Sequence, residues 1–236
     1  MFKHSFGVFA AMALFAAPSA VLAQSDEAEP DTSADAAATG APVDQRTYPN
    51  INFDQSVEPE NIWVLDLSNG ERVKIRLMSE WAPQHVERIK TLTREGFYDG
   101  VIFHRVIDGF MAQSGDPTGT GQGGSQLPDL NEEFNPMPHV RGSVAMARAT
   151  EENSANSQFF IVFYPRFSLD KRYTNFGRVI DNMAAVDAIN RGEPPQNPTR
   201  ILQASLASDN RPRPAAAPEP LVEQDITADL LNAPLQ

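Results

Sequence analysis

The stretch from Ile62 to Leu77 constrains the fold of this 236-residue chain more than any other. Its residues, IWVLDLSNGERVKIRL, alternate between apolar and polar on both sides of Asn69-Gly70. Because an Asn-Gly pair readily takes the positive φ angles of a tight hairpin turn, the pattern predicts two antiparallel strands. A domain that contains this segment must therefore include an antiparallel sheet.

Further short apolar runs, separated by turn residues, extend the predicted sheet. They are GVIFHRVI, GFMAQSGD, GSVAMARA, SQFFIVFY, YTNFGRVI and TRILQASLAS. Helical spacing is confined to two segments, one from Pro83 to Gly96 and one from Asn182 to Gly192. Many strands with two helices predict a mainly β fold, an antiparallel barrel with the helices outside it.

The N-terminal part of the chain has a composition unlike that of the middle. Residues 1–23 combine Lys3, an apolar run and small residues ending at Ala23, a pattern typical of a cleaved secretory signal peptide. A membrane anchor is the alternative, but the apolar run is shorter than the ~20 residues that a span needs. Residues 24–57 are rich in Ala, Pro, Ser and acidic residues, and we expect a disordered linker.

The C-terminal residues 206–236 form a second Pro/Ala-rich acidic tail. Leu221, Val222, Ile226, Leu230 and Leu231 within it have helix-like spacing. A short helix or a partner-docking segment is one interpretation, and disorder is the other. Residues 58–205 therefore form the predicted domain.

Composition excludes several classes of function. The chain has no cysteine, so it has no disulfide, thiol nucleophile or thiolate metal site. Its formal net charge is −12, and the acidic excess is spread over both tails and the domain. This distribution argues against nucleic acid or an anionic membrane surface as a partner.

Four motifs follow one another in the predicted domain: FHRVIDGFMAQSGD from Phe103, GTGQGG from Gly119, NSQFFIV from Asn156 and LDKRYTNFGRV from Leu169. Together they resemble the cyclophilin family of peptidyl-prolyl cis/trans isomerases. The resemblance implies a closed eight-stranded antiparallel barrel capped by two helices, with the active site on its outer face. It also implies catalysis without a cofactor or metal, and proline-containing polypeptides as partners.

The resemblance assigns roles to ten residues. Arg105 would be the catalytic residue, a permanently charged donor to the prolyl nitrogen. The substrate-binding residues would be Phe110, Met111, Phe160 and Leu169 around the proline ring, Gln113 and Gln158 on the peptide backbone, and Ala147, Arg148 and Tyr173 along the groove. Arg148 departs from the Asn of many family members, and Tyr173 takes the place of a His.

Other polar residues have simpler interpretations. We expect His104 to be structural, because no Ser-His-Asp order or carboxylate pair accompanies it. GTGQGG lacks the Gly-Lys-Ser/Thr of a phosphate-binding loop, and the Glu132-Glu133 and Glu151-Glu152 pairs are predicted to be solvated.

Two functions from different classes fit the sequence. The first is a monomeric periplasmic prolyl isomerase that acts on exported polypeptides. The second is a binding module that captures proline-containing segments as a chaperone or scaffold with little turnover. The residues of the four motifs favour the enzyme.

Overall fold

A computed structural model describes residues 47–215 and shows that the predicted hairpin opens the sheet. Strand β1 (Ile62–Leu67) pairs with β2 (Arg72–Leu77), and Leu65 lies opposite Val73. The Gly70 amide donates to the Leu67 carbonyl, 3.0 Å away, and closes the turn. Gly70 has a φ of 83°, which a residue with a Cβ rarely adopts.

Six more strands follow in the described residues. They are β3 (Arg105–Ile107), β4 (Met111–Ser114), β5 (Ser143–Met146), β6 (Phe159–Val162), β7 (Asn175–Asp181) and β8 (Ile201–Leu206). All neighbours pair antiparallel in the order β3-β4-β6-β5-β7-β2-β1-β8. The predicted mainly β fold with eight antiparallel strands is therefore confirmed.

The prediction of a closed barrel is not confirmed, because the curled sheet stays open between β3 and β8. Across this gap the described chain has isolated bridges, which pair Ile102 with Arg200 and Val106 with Gly192. The segment opposite β3 contains Pro194 and Pro195. Proline has no N–H to donate to a ladder, so continuous strand pairing cannot extend through this segment.

Aromatic rings fill the inside of the curled sheet. Trp63 on β1 is fully buried, and its ring centroid lies 4.9 Å from that of Phe159 and 5.3 Å from that of Tyr98. Side chains alternate along β6, so Phe159 and Ile161 belong to this core. Phe160 and Val162 belong to a second, smaller apolar cluster on the other side of the sheet.

The described residues contain two α-helices. Helix α1 (Pro83–Arg94) begins at the predicted proline and buries Val86, Ile89 and Leu92. Helix α2 (Met183–Asp187) is shorter than the predicted segment. It ends early because the next residues turn into the sheet edge, where Asn190 and Gly192 form hydrogen bonds with Thr199 and Val106. Neither helix is long and apolar enough to cross a bilayer.

Residues 47–57, which belong to the predicted linker, contact the domain. The Trp81 indole donates to the Pro49 carbonyl, 2.8 Å away. Arg76 is fully buried and donates to the Asn52 carbonyl and to Glu58 and Glu80, each at 2.7 Å. The predicted signal peptide, the rest of the acidic linker and the apolar spacing after Leu221 lie outside the described residues.

Glu133 is not a solvated loop charge, and that prediction is wrong. Its carboxylate accepts hydrogen bonds from the Gln84 and His85 amides, both at 3.1 Å, and lies 2.7 Å from His85 Nδ1. Ala82, which precedes α1, offers no side-chain cap. Glu133 is buried because it satisfies the free amides at the start of this helix from a distant loop.

Replacing this carboxylate should therefore weaken the domain. We expect Glu133→Ala to lower the free energy of unfolding by about 2 kcal/mol, because two helix amides and a buried imidazole lose their acceptor. Urea denaturation followed by circular dichroism measures the change. The exposed Glu152→Ala is the control, and an equal effect of the two substitutions would contradict the capping role.

Candidate active site

Strand register places four residues in one row across the sheet. Arg105 on β3 pairs with Gln113 on β4, Gln113 pairs with Phe160 on β6, and Phe160 pairs with Ala145 on β5. Residues that lie opposite one another in antiparallel strands share a face of the sheet. The register thus brings a cation, an amide and an aromatic ring side by side from three separate strands.

The smaller apolar cluster forms the floor beside this row. Met111, Ala145, Phe160 and Val162 are buried in it, and the side chains of Phe110, Leu169 and Tyr173 are among those packed around them. The Tyr173 ring meets the Phe160 ring edge-on at 5.5 Å. Apolar side chains gathered on the outer side of a sheet form a surface that a small apolar group can contact.

Above this floor lies a groove of about 300 Å³. It brings together nine of the ten residues predicted from the sequence, namely Arg105, Phe110, Met111, Gln113, Ala147, Arg148, Phe160, Leu169 and Tyr173. The tenth, Gln158, lies in an adjoining groove of about 850 Å³, and its Oε1 accepts a hydrogen bond from Gln113 Nε2 at 2.9 Å. The substrate contacts of all ten remain predictions.

Arg105 is half-exposed at the edge of the groove. Its Nε donates to the Glu193 carboxylate, 2.7 Å away. Within residues 47–215 its other guanidinium N–H groups have no hydrogen-bond partner. Sequence reasoning missed Glu193, because this residue lies 88 positions further along the chain and outside every recognised motif.

Arg148 forms part of the wall of both grooves. Its guanidinium carbon lies 5.0 Å from the centre of the Tyr173 ring. Nε donates to the Arg172 carbonyl, and Nη1 donates to the carbonyls of Ala149 and Thr150. These bonds hold Arg148 against the ring, so the cation also braces Tyr173.

The glycine-rich loop is organised around the buried carboxylate of Asp116. This carboxylate accepts from the amides of Thr118, Gly121 and Gly123 at 2.7, 2.6 and 3.1 Å, and from the Thr118 hydroxyl at 2.7 Å. Burial would raise the pKa of Asp116, but these hydrogen bonds lower it to about 2. These loop amides therefore bind a carboxylate of the protein itself, whereas the amides of a phosphate-binding loop bind an external anion.

Glycine is required at position 123 by this close approach. A Cβ there would lie 2.2 Å from an Asp116 oxygen. The loop also supports the row on the sheet, because Gln158 Nε2 donates to the Gly121 and Gly123 carbonyls at 3.1 and 2.8 Å. Asp116 therefore positions Gln158, and through it Gln113, from beneath the loop.

Two buried histidines lie near the groove. His139 Nδ1 is 2.8 Å from an Asp170 oxygen, and its ring stacks on Phe160 at 6.3 Å. Burial lowers the pKa of His139, although Asp170 acts in the opposite sense. Burial also lowers the pKa of His104, which is consistent with the structural role expected for it. A single His gave no sequence signal, so the support of Phe160 by His139 was missed.

No cluster of three or more His, Asp or Glu side chains that could hold a metal ion occurs in the described part of the chain. The side chains that line the two grooves include apolar groups, the amides of Gln113 and Gln158 and the cations of Arg105 and Arg148.

Comparison with protein families gives a match over most of the described residues. The model for "Cyclophilin type peptidyl-prolyl cis-trans isomerase/CLD" matches residues 64–206. A probable peptidyl-prolyl cis-trans isomerase of Brucella suis is 44% identical over 172 residues, which are 66% of this chain and 87% of that protein. The peptidyl-prolyl cis-trans isomerase ppi1 of Schizosaccharomyces pombe is 37% identical over 141 residues, which are 56% of this chain and 91% of that protein.

Solved structures give the same result. A cyclophilin from Hirschia baltica has a TM-score of 0.60 and 29% sequence identity, covering 65% of this chain and 76% of that one. A Cryptosporidium parvum cyclophilin type peptidyl-prolyl cis-trans isomerase, crystallised in the presence of the dipeptide Ala-Pro, has a TM-score of 0.57 and 28% identity. The match covers 61% of this chain and 98% of that chain.

The Asp116 carboxylate should make stability depend on pH in a defined window. Its pKa falls from 3.8 to about 2 on folding, so between these values the unfolded chain binds more protons. The contribution of this carboxylate to the free energy of unfolding is complete above pH 3.8 and is lost as the pH falls through about 2. We expect Asp116→Asn to lower the free energy of unfolding at pH 7, and the gap from wild type to narrow below pH 3.8.

Urea unfolding of both proteins over this pH range measures the gap. The exposed Asp181→Asn serves as the control, for which we expect a small effect at neutral pH. A gap that stays constant from pH 7 to pH 2 would show that the Asp116 charge does not stabilise the loop.

Proposed function

This chain belongs to the cyclophilin-type peptidyl-prolyl cis-trans isomerase family, and we propose that its outer groove binds the proline while Arg105 catalyses rotation of the preceding peptide bond. The observation that carries the proposal is the cross-strand row that sets Arg105 beside Gln113 and the buried ring of Phe160. Peptidyl-prolyl isomerase activity itself follows from the family.

The reaction requires no bond to be broken. Rotation about an amide costs about 18 to 20 kcal/mol, because the nitrogen shares its lone pair with the carbonyl. Unaided prolyl bonds consequently interconvert in roughly 10 to 100 s. A catalyst needs to hold one side of the bond and to favour the twisted amide over the planar one.

The apolar floor supplies the holding surface. The pyrrolidine ring would lie against Phe160 and Met111, both almost fully buried, with Phe110 and Leu169 at its sides. His139 lies behind Phe160 and keeps that ring in place. A relative that was crystallised in the presence of Ala-Pro supports a groove of this type for proline-containing peptides.

Arg105 would supply the selective interaction. As the bond twists, the lone pair localises on the prolyl nitrogen and becomes a hydrogen-bond acceptor. A guanidinium N–H that donates to this nitrogen stabilises the transition state more than the planar ground state. Arg105 can do so at any working pH, because arginine remains protonated.

The polar residues of the row would fix the peptide on either side of the proline. Gln113 and Gln158 are linked to each other and, through Gln158, to the glycine-rich loop, so their amides are already oriented. Ala147 and the braced pair Arg148 and Tyr173 line the remaining wall. An oriented site loses less entropy when it binds a flexible peptide.

Removal of the catalytic guanidinium tests the mechanism. We expect Arg105→Ala to lower kcat/KM by about 10² to 10³, the usual cost of losing one donor to the transition state, with an unchanged melting temperature. A protease-coupled assay on an Ala-Pro peptide measures the rate. Arg141→Ala, which also removes a half-exposed arginine from an ion pair, is the control.

Two results would contradict this mechanism. Wild-type protein without acceleration would favour the binding module, and an active Arg105→Ala would move catalysis to another residue.

We further propose that the protein is exported as a monomer to the periplasm and acts on exported polypeptides. The basic, apolar and small-residue pattern of residues 1–23 supports this location. When the full-length chain is expressed in a Gram-negative host, the protein should be recovered from the periplasmic fraction with a mature N-terminus close to position 24. An uncleaved chain in the cytoplasm would rule out this proposal without affecting the catalytic one.

A further inference from the structure

In the gap between β3 and β8, an acidic residue lies directly beside Arg105. Val106 and Gly192 form an antiparallel bridge, with both N–H to carbonyl bonds made at 2.8 and 2.9 Å. In an antiparallel bridge the residue before one partner lies opposite the residue after the other. Glu193 is therefore opposite Arg105, and it extends the cross-strand row by one residue.

The segment that carries Glu193 is anchored by the two residues that precede it. Before it, the Arg191 guanidinium lies 4.3 Å from the centre of the Phe163 ring and donates to Asp108 and to the Asp187 carbonyl. Gly192 has a φ of 143°, and a Cβ there would lie 2.5 Å from the backbone of Pro195. The backbone at position 193 is thus fixed relative to β3, although the Glu193 side chain is half-exposed.

The contact between the two side chains determines the plane of the guanidinium. The Glu193 oxygen accepts from Nε, at 2.7 Å, and the two Nη groups have no hydrogen-bond partner in the described part of the chain. A planar guanidinium that is held through Nε presents its other edge in a defined direction. An exposed ion pair adds little to stability, so the effect of this one should be seen in catalysis.

We propose that Glu193 is a positioning residue that holds Arg105 by Nε and leaves its Nη groups to interact with the prolyl bond. The inference rests on the proposed function, since it requires Arg105 to act on the substrate. It differs from a structural role because it predicts a loss of kcat with the fold and substrate binding unchanged.

Three substitutions at this position separate the possible roles. We expect Glu193→Ala to lower kcat by roughly two- to fivefold, the scale of one exposed ion pair, with KM changed by less than about twofold. Glu193→Gln keeps an oxygen acceptor and should retain most of the activity. Asp187→Ala is the matched control, because it breaks the similarly exposed pair with Arg141 away from the groove.

Combination with the Arg105 variant tests whether Glu193 acts through that side chain. In the Arg105→Ala protein, a second change of Glu193→Ala should cause no further loss of kcat. In the wild type, the Nε–Hε resonance of Arg105 should be resolved, and it should shift or broaden in Glu193→Ala. Melting temperatures of all variants should stay close to that of the wild type.

The outcomes distinguish this inference from the proposed function. Wild-type kinetics in Glu193→Ala would overturn the positioning role while isomerase activity stands. Faster turnover in both Glu193→Ala and Glu193→Gln would also overturn it, because the carboxylate would then reduce the ability of Arg105 to stabilise the transition state. An equal loss of kcat with and without Arg105 would show that Glu193 acts elsewhere, and an inactive wild type would refute the proposed function first.

Discussion

The register of β3, β4, β6 and β5 is the constraint on which the site depends. Side chains alternate along a strand, so a slip of one residue would exchange the two faces. On β6 such a slip would bring Phe160 into the aromatic core and Phe159 onto the groove. The register is held because Phe159 contacts Trp63 inside the sheet. Moving Phe159 to the other face would leave a cavity in the aromatic core. Packing on one side of the sheet thereby fixes the functional geometry on the other.

Buried polar groups form the second layer of this organisation. Asp116 satisfies amides of its own glycine-rich loop, whereas Glu133 at the start of α1 and His139 behind Phe160 have partners in distant parts of the chain. A buried charge that lacks partners is costly, so each of these contacts specifies one arrangement of its loop. The groove residues therefore rest on supports that are themselves fixed, as a preorganised site requires.

The sequence predicted the parts of the fold that depend on local pattern. The hairpin at Asn69-Gly70, the start of α1 at Pro83 and the residues gathered in the groove all follow from short motifs. Sequence reasoning did not find Glu133 or Glu193, because the partner of each lies far away in the chain. The early end of α2 and the open sheet edge were not predicted for the same reason, since both depend on bridges between distant segments.

The burial of Arg76 has a consequence for where the folding unit begins. Asn52 and Glu58, which come before the first strand, supply two of its partners. A recombinant fragment that begins at the first strand would leave this buried guanidinium without the Asn52 carbonyl and without one of its two carboxylates. The segment around Asn52, which looks like a spacer by composition, thus contributes contacts to the folded domain, and we expect a fragment that lacks this segment to be less soluble.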